Sequence, residues 1–351
     1  MSPNLPARSR DAAATDPPPA SVTAVVLTYR RPRLAGDVVR SLIADEGFDP
    51  ARVVVVVNGD GGLDDADLEA AVHLVRLPVN TGPAGGFRAG LEVATSDPSC
   101  RWVYLCEDDV GLFDLPTPRV AELVHRAEAA APNHPALGAV VAYGRSFVGR
   151  GAHTVNVVPV GSDLVPVDVA CWGATLVDRR VVDAGVLPDP DLFFGVEDFD
   201  FFCRVREAGY EVLVDGVAAR SVAGQQTNEG RDAAIRDARP NDAAEAWRSY
   251  YHARNSLELA RRHGRPSWLA WHAAYTVRHL QAARSRAERS AIAHGLWDGI
   301  RGRLGQNPAY TRATGEYVPS GVDAGAGTPS GVDAGAGTPS GVDAGVAPDG
   351  S

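Results

Sequence analysis

The sequence predicts an α/β protein: a mostly parallel central sheet flanked by helices, with a C-terminal helical extension. Three observations carry that expectation. Short apolar runs, VTAVVL at 22–27, VVVVV at 53–57 and WVYLC at 102–106, alternate with segments of helical periodicity. The runs are apolar throughout rather than at every second residue, so each strand needs cover on both faces, which is the condition of a parallel sheet. Each run also stops at polar residues, Thr28-Tyr29-Arg30, Asn58-Gly59-Asp60 and Glu107-Asp108-Asp109. Ligands of open parallel sheets bind outside the carboxyl ends of the strands, so these residues are expected to converge on one edge.

Taken in order, residues 1–20 are rich in Pro, Ala and Asp, lack an apolar h-region, and are expected to be disordered rather than a secretory signal. The main domain is expected over 21–240. After the first strand and the turn TYRRP, the pattern LAGDVVRSLIA predicts a helix, and RVVVVVN predicts the second strand. A helix near 64–71, a short strand HLVRLP and a helix GGFRAGLEVAT lead to WVYLC. A helix near 117–131 precedes the strand ALGAVVAYG, and a loop-rich stretch is expected to about 166. VDVACWGATLVDRRVVDAG reads as strand, turn and helix, and REAGYEVLVDG as a helix end and a short strand. Residues 241–305 form the helical region, with helices over 241–263, started by Asn241/Asp242 and stopped by Gly264, and over 266–303. Beyond 306 the chain is expected to be a disordered tail. GVDAGAGTPS occurs at 321–330 and 331–340 and has almost nothing to bury.

Composition removes several classes of function. A net charge of −10 disfavours general nucleic-acid binding, since phosphate backbones select basic surfaces. The four cysteines form no CxxC pair, and 351 residues with 45% apolar content can bury a core without disulfides, so reduced thiols and a cytoplasmic setting are expected. All basic side chains besides histidine are arginines. No run of 18 apolar residues predicts a membrane span.

Three motifs carry chemistry. Glu107, Asp108 and Asp109 end a buried strand as adjacent carboxylates whose mutual repulsion a hard divalent cation relieves, Mg²⁺ or Mn²⁺. Alternation sends Glu107 and Asp109 to one side and Asp108 to the other. NTGPAGGFRAG at 80–90 reads as a turn at which backbone approaches a ligand and free helix amides face an anion. It follows the third strand rather than the first, which argues against a dinucleotide fingerprint. Arg88 is expected in the first turn of that helix, where a cation calls for an anionic ligand. In FFGVEDFDFFCR at 193–204, helical spacing puts Asp198 on the face of Phe201, Phe202 and Val205, where desolvation raises its pKa toward that of a general base. Asp200 reads as a surface acid pairing with Arg204, and Glu197 as an orienting group for Asp198 or the acceptor.

Together VVLTYRRP, VVVVVNGD, NTGPAGGFRAG, YLCEDDV, CWGATLVDRRVVDAG, FFGVEDFDFFCR and SYYHARNSL resemble the family-2 inverting glycosyltransferases with a GT-A, Rossmann-like fold, over roughly 22–260. The AGGF turn with an acidic triplet leans toward the galactofuranosyltransferase and rhamnosyltransferase branch. The resemblance implies transfer from a nucleoside diphosphate sugar, of the UDP-galactofuranose or dTDP-rhamnose type, to a glycan or lipid-linked acceptor in cell-envelope polysaccharide synthesis. It places Thr28 and Asp60 near the nucleoside; Asp108 and Arg88 are further candidates for binding the nucleotide sugar. It makes Asp109, with Glu107, the metal position, Asp198 the base, and Trp172 and Gly173 the acceptor side. Many members carry a metal-ligating His where this chain has Arg220, which is expected to hold a phosphate instead.

The arm 261–303 holds nine arginines against two acids, Glu288 and Asp298, and places Trp268, Trp271 and Tyr275 at helical spacing. That pattern suits peripheral contact with an anionic membrane surface at its cytoplasmic face, and equally suits aromatics packed on the catalytic domain with solvated arginines. Two other functions stand beside the transferase. One is an inactive relative that binds nucleotide sugar or glycan. The other is a nucleotidyltransferase, whose glycine-rich loop after strand one is missing from TYRRP.

Overall fold

The protein is described from a computed structural model covering residues 20–108, 120–161, 163–220, 246–283 and 285–310. Asp109, the Asn241/Asp242 helix start, residues 1–19, residues 311–351 and the repeats lie outside the described residues. Of the tail expected to be disordered from 306, Pro308–Tyr310 forms a 3-10 turn and Tyr310 stacks on Tyr250 at 4.1 Å.

The strands are β1 (Val22–Thr28), β2 (Val53–Asn58), β3 (His73–Leu77), β4 (Trp102–Glu107), β5 (Leu137–Val141), β6 (Gly144–Phe147), β7 (Thr154–Asn156), β8 (Leu164–Pro166), β9 (Val169–Ala170), β10 (Thr175–Asp178) and β11 (Glu211–Asp215). Eight of them form one sheet in the order β3-β2-β1-β4-β10-β5-β11-β8. β1 pairs in parallel with β2 and with β4, β2 with β3, and β5 with β11. β10 runs antiparallel between β4 and β5, and β8 antiparallel along β11. The sheet is thus mostly parallel, as the apolar runs predict.

Alternation along these strands produces two cores. Val25, Leu27, Val54, Val56, Val103 and Leu105 face one side, where Phe87 and Leu91 of α3 (Gly82–Ser96) cover them. Val26, Val55, Val57, Trp102 and Tyr104 face the other, under Val39 and Leu42 of α1 (Pro32–Ala44) and Leu123 and Val124 of α4 (Val120–Ala130). Close approach of α3 to the sheet needs glycine. A Cβ at Gly86 would run into Leu27, and one at Gly90 into Val25. The other helices of this region are α2 (Ala66–Ala71), α5 (Arg179–Asp183) and α6 (Glu197–Glu207), and α7 (Ala246–Arg262), α8 (Pro266–Ala282) and α9 (Arg286–Ile300) follow.

Three expectations need correction. The stretch expected to be loop-rich contains β6, β7 and β8, and β7-β6-β9 make a second, antiparallel sheet. Helix α3 begins at Gly82, so Arg88 sits in its second turn and pairs with Glu92 at 3.0 Å, an ordinary i,i+4 contact. The single helix expected over 266–303 is two, α8 and α9. Ser285 caps α9 by accepting from the Glu288 amide at 3.0 Å, and Ser-x-x-Glu is a helix-start signature.

Asp200 is the fourth correction. It pairs with Arg204 at 2.8 Å as the spacing predicts, yet it is fully buried rather than a surface acid. Arg262 at 3.5 Å and His263 Nε2 at 3.4 Å reach it from the C-terminal end of α7, and His263 Nδ1 meets Glu207 at 2.6 Å. Burial alone would raise the Asp200 pKa, but His263, Arg204 and Arg262 outweigh it and hold the carboxyl below its usual range. Burial likewise disfavours charged His263, yet the bonds to Asp200 and Glu207 lift its pKa above the ordinary value. A histidine whose pKa is raised on folding stabilises fully below its unfolded pKa of about 6.5, and that contribution disappears as pH rises through the folded value. The melting temperature of the wild type should therefore decline as pH is raised from about 6 to about 8.5, and His263→Gln should flatten the decline. Equal slopes for the two proteins in a thermal-melt series would remove His263 from the linkage.

Candidate active site

The strand order 3-2-1-4 makes the gap between β1 and β4 a topological switch point, the place at which open α/β sheets bind ligands. The residues that end these strands meet there. The Thr28 hydroxyl donates to Asp108 Oδ2 at 2.7 Å, and Arg31 forms an ion pair with the buried Asp108 carboxylate. Asn58, buried at the end of β2, accepts from the Thr81 amide at 2.8 Å and donates to the Gly82 carbonyl at 2.9 Å. Those bonds fix the start of α3 against the strand ends. Asp60 is 82% exposed at its side chain and pairs with Arg30 at 2.9 Å, bridging the turns after β1 and β2.

A cleft of about 570 Å³ opens beside this edge, within the usual range for small-molecule sites. Glu107, Trp172, Glu197 and Asp198 line it, so the end of β4 and the first turn of α6 share one space. Thr28, Asp60, Arg88, Asp108, Gly173 and Arg220 are not among its lining residues. Gly173 adopts a φ of 100° between Trp172 and β10, and turns the chain away. Arg220 donates to the carbonyls of Pro159, at 2.8 Å, and Gly161.

The two acids of α6 occupy different environments. Glu197 is buried, with one carboxylate oxygen lacking a hydrogen-bond partner. Burial first, then the neighbouring charge of Asp198 and, less strongly, Glu107, push its pKa well above the carboxylate range. Asp198 is half-buried, and desolvation raises its pKa to about 6 although the Phe199 amide donates to it at 2.8 Å. The Cys171 thiol and the Arg145 guanidinium also favour its charged form. Burial holds the Cys171 thiol far above its usual pKa, so it stays protonated and can donate. Arg145, on β6, is anchored by Thr154, its Nε donating to the hydroxyl at 2.8 Å. Trp172 packs between Phe87 at 4.8 Å and Phe201 at 5.4 Å, which fixes its ring as a wall of the cleft.

Sequence reasoning missed Arg145, Cys171 and the contribution of the C-terminal helices. Arg145 lies in the stretch expected to be loop, and a lone cysteine carries no spacing signal. His252, Ser256 and Leu259 of α7 and Trp268, Trp271, His272 and Tyr275 of α8 form the far wall. Trp268 is buried against Phe147 at 4.5 Å, and Trp271 stacks on Tyr275 at 4.9 Å. Of the three aromatics at helical spacing, Trp268 thus packs on β6, while Trp271 and Tyr275 stack on each other along α8.

The chemistry of the donor set fits a hard cation only in part. Glu107 supplies one carboxylate at the strand end, its expected companion Asp109 lies outside the described residues, and no group of three metal-ligating side chains occurs among the described residues. What the arrangement can do is present two adjacent carboxyls to one cleft, both with pKa raised by burial and that of Asp198 to about 6, in the working range of a general base.

No family model matches the chain. The sequence is similar to the galactofuranosyltransferase GlfT2 of Mycobacterium tuberculosis, 24% identical over 288 residues that make up 71% of this chain and 43% of that protein. The chain thus spans less than half the length of the curated relative it matches. Among solved structures, GalNAc-T7 with UDP, GalNAc and Mn²⁺ aligns over 75% of this chain and 58% of that one, at 11% identity and a TM-score of 0.42. The sequence similarity is thus to a glycosyltransferase, and in this chain a mostly parallel sheet opens at its switch point beside a cleft lined by Glu107, Glu197 and Asp198.

Proposed function

We propose that the protein is an inverting glycosyltransferase that moves a sugar from a nucleoside diphosphate sugar to a hydroxyl of a glycan or lipid-linked acceptor. One observation carries the reading: Glu197 and Asp198, in the first turn of α6, enter the cleft side by side with Glu107 at the sheet's switch point. Burial raises the pKa of both, that of Asp198 to about 6, within the working range of a base. Asp198 is ionised at neutral pH and takes the proton of the acceptor hydroxyl as its oxygen attacks the anomeric carbon. The new carbon–oxygen bond forms on the face opposite the diphosphate, whose own bond to the carbon breaks, so the anomeric centre inverts. Glu197, beside it in the first turn of α6, orients the acceptor or Asp198. Trp172 offers a rigid apolar wall against the acceptor.

The donor lies along the strand ends, with the nucleoside toward Thr28 and Asp60; Asp108 supports that rim through Thr28 and Arg31, while Arg88 and Arg220 are engaged by Glu92 and by the Pro159 and Gly161 carbonyls. Glu107, with Asp109, would hold Mg²⁺ or Mn²⁺, which supplies positive charge to the departing diphosphate. The similarity to a galactofuranosyltransferase favours a galactofuranose donor over rhamnose and a role in cell-envelope polysaccharide synthesis. No helix among the described residues is long and apolar enough to cross a membrane, and the four cysteines are free thiols. We assign the enzyme to the cytoplasm, with a lipid-linked acceptor reaching the cleft from the membrane surface. The domain division follows the same reading, a transferase domain over 21–240 and a helical region over 241–305 that completes the acceptor wall.

Release of UDP from UDP-galactofuranose, measured with a galactofuranosyl acceptor present, tests the reading. Asp198→Asn should lower the transfer rate by ~10²–10⁴-fold while leaving donor affinity nearly unchanged. Turnover within about threefold of wild type would remove Asp198 from the mechanism. The wild-type rate should rise with pH through about 6, as the base loses its proton. A rate flat from about pH 5 to about pH 7.5 would show that no group with that pKa limits transfer. Glu107→Ala should weaken donor binding and transfer together, and a wild-type enzyme fully active in EDTA would overturn the cation.

A further inference from the structure

The segment that leads into α6 is strained where it joins the candidate acids. Phe193 and Val196 adopt φ of 58° and 60°, with Gly195 between them at 79°. Left-handed backbone is unfavourable for a residue with a Cβ, and a β-branched valine there is a genuine outlier. Such conformations persist only where the surroundings over-determine them. Val196 is also the residue that caps α6, and no side chain caps the helix in its place. Glu197 and Asp198 follow at once, so the direction in which they leave the helix start is set by these dihedral angles.

Two adjacent residues of α7 hold the segment. The Asn255 side-chain amide donates to the carbonyls of Leu192 at 2.5 Å, Phe194 at 2.7 Å and Gly195 at 3.1 Å. Arg254 donates to the Leu192 carbonyl at 3.1 Å and, through Nε, to Asn255 Oδ1 at 2.7 Å, which fixes the orientation of the amide. Both side chains are buried, Asn255 at 0% and Arg254 at 1% exposure. On the opposite side the segment rests on the start of α3. A Cβ on Gly82, whose φ is 72°, would collide with the Phe193 carbonyl oxygen. The left-handed turn directs its carbonyls at the buried Asn255 amide, which satisfies them as acceptors.

We infer that Asn255, seated by Arg254, is a positioning residue that clamps Leu192–Gly195 and thereby sets Glu197 and Asp198 in the cleft. Its catalytic consequence rests on the transferase reading above. The helical region is, on this inference, part of the active-site scaffold rather than an appendage to it. A purely stabilising Asn255 would matter to the melting temperature and to nothing else.

Asn255→Ala in the full chain tests the inference, with hydrogen–deuterium exchange of the 193–199 amides, UDP affinity by calorimetry and the transfer rate as readouts. The expected result is exchange faster by about tenfold or more over 193–199, with α3 and the strand ends unchanged. UDP affinity should stay within about threefold, while the turnover number falls by about tenfold or more, because small misplacement of a reacting group is enough to produce such a loss. Should Asn255→Ala fail to fold, Asn255→Ser, which keeps a shorter donor, allows the same comparison. Unchanged exchange over 193–199, or a turnover number equal to wild type despite faster exchange, would overturn the inference. A wild-type protein that transfers no sugar would instead overturn the transferase reading, and the exchange measurement would still decide whether the clamp exists.

Discussion

The parallel pairing of β1 with β2 on one side and β4 on the other is the constraint on which the rest depends. The chain proceeds outward from β1 to β2 and β3, then returns through α3 to β4 on the far side. The connections that leave β1 and β4 therefore diverge, and a crevice opens at their carboxyl ends. Backbone carbonyls and amides of the strands are satisfied within the sheet, so the polar side chains that follow them have only one another, solvent or a ligand to meet. Thr28 and Arg31 on Asp108, and Asn58 on the start of α3, are the outcome. They make a rigid rim from which Glu107 projects into the cleft.

Against that rim the protein sets a helix that carries its charge at a desolvation penalty. Three acids crowd the first turn of α6, where the helix dipole and free amides favour negative charge. Their fates diverge with their surroundings. Asp200 meets Arg204, Arg262 and His263 and stays ionised in a dry site, as an anchor to the end of α7. Glu197 is buried beside the charge of Asp198, and its pKa rises. Asp198, half-exposed to the cleft and touched by Cys171 and Arg145, falls between the two. One turn of helix thus places three acids in three electrostatic environments, and no property of the three side chains themselves accounts for the difference.

The helical region joins both features. The end of α7 grips Asp200, its middle carries Arg254 and Asn255, and α8 turns Trp268 and Trp271 toward the cleft. Local chain packing here couples fold to chemistry, because the contacts that bury α7 also orient the acids of α6. The arginine-rich composition of 261–303 is then partly architectural. Arg262 and Arg265 are engaged with Asp189 at 2.5 Å and with the Trp268 ring at 4.7 Å.

Much of the sheet was legible in the sequence because parallel strands buried on both faces leave an unmistakable apolar run, and β1, β2 and β4 fall within a residue or two of VTAVVL, RVVVVVN and WVYLC. Asp198 was legible as a residue at the edge of an apolar helical stripe, and the Asp200–Arg204 pair as an i,i+4 contact. The break between α8 and α9 was written in Ser285 and Glu288 but lay hidden inside a continuous helical periodicity. Other features belonged to the tertiary structure alone. Periodicity is blind to partners distant in sequence, so the burial of Asp200 by residues about sixty positions later had no local sign. The short strands β6 to β9 bury too little to produce alternation, and Arg145 and Cys171 reach Asp198 only because the sheet brings them there. What sequence by itself determined is which residues can carry charge and which must be buried. Only the packed fold decided which charges lose their water, and pKa, strain and position all follow from that loss.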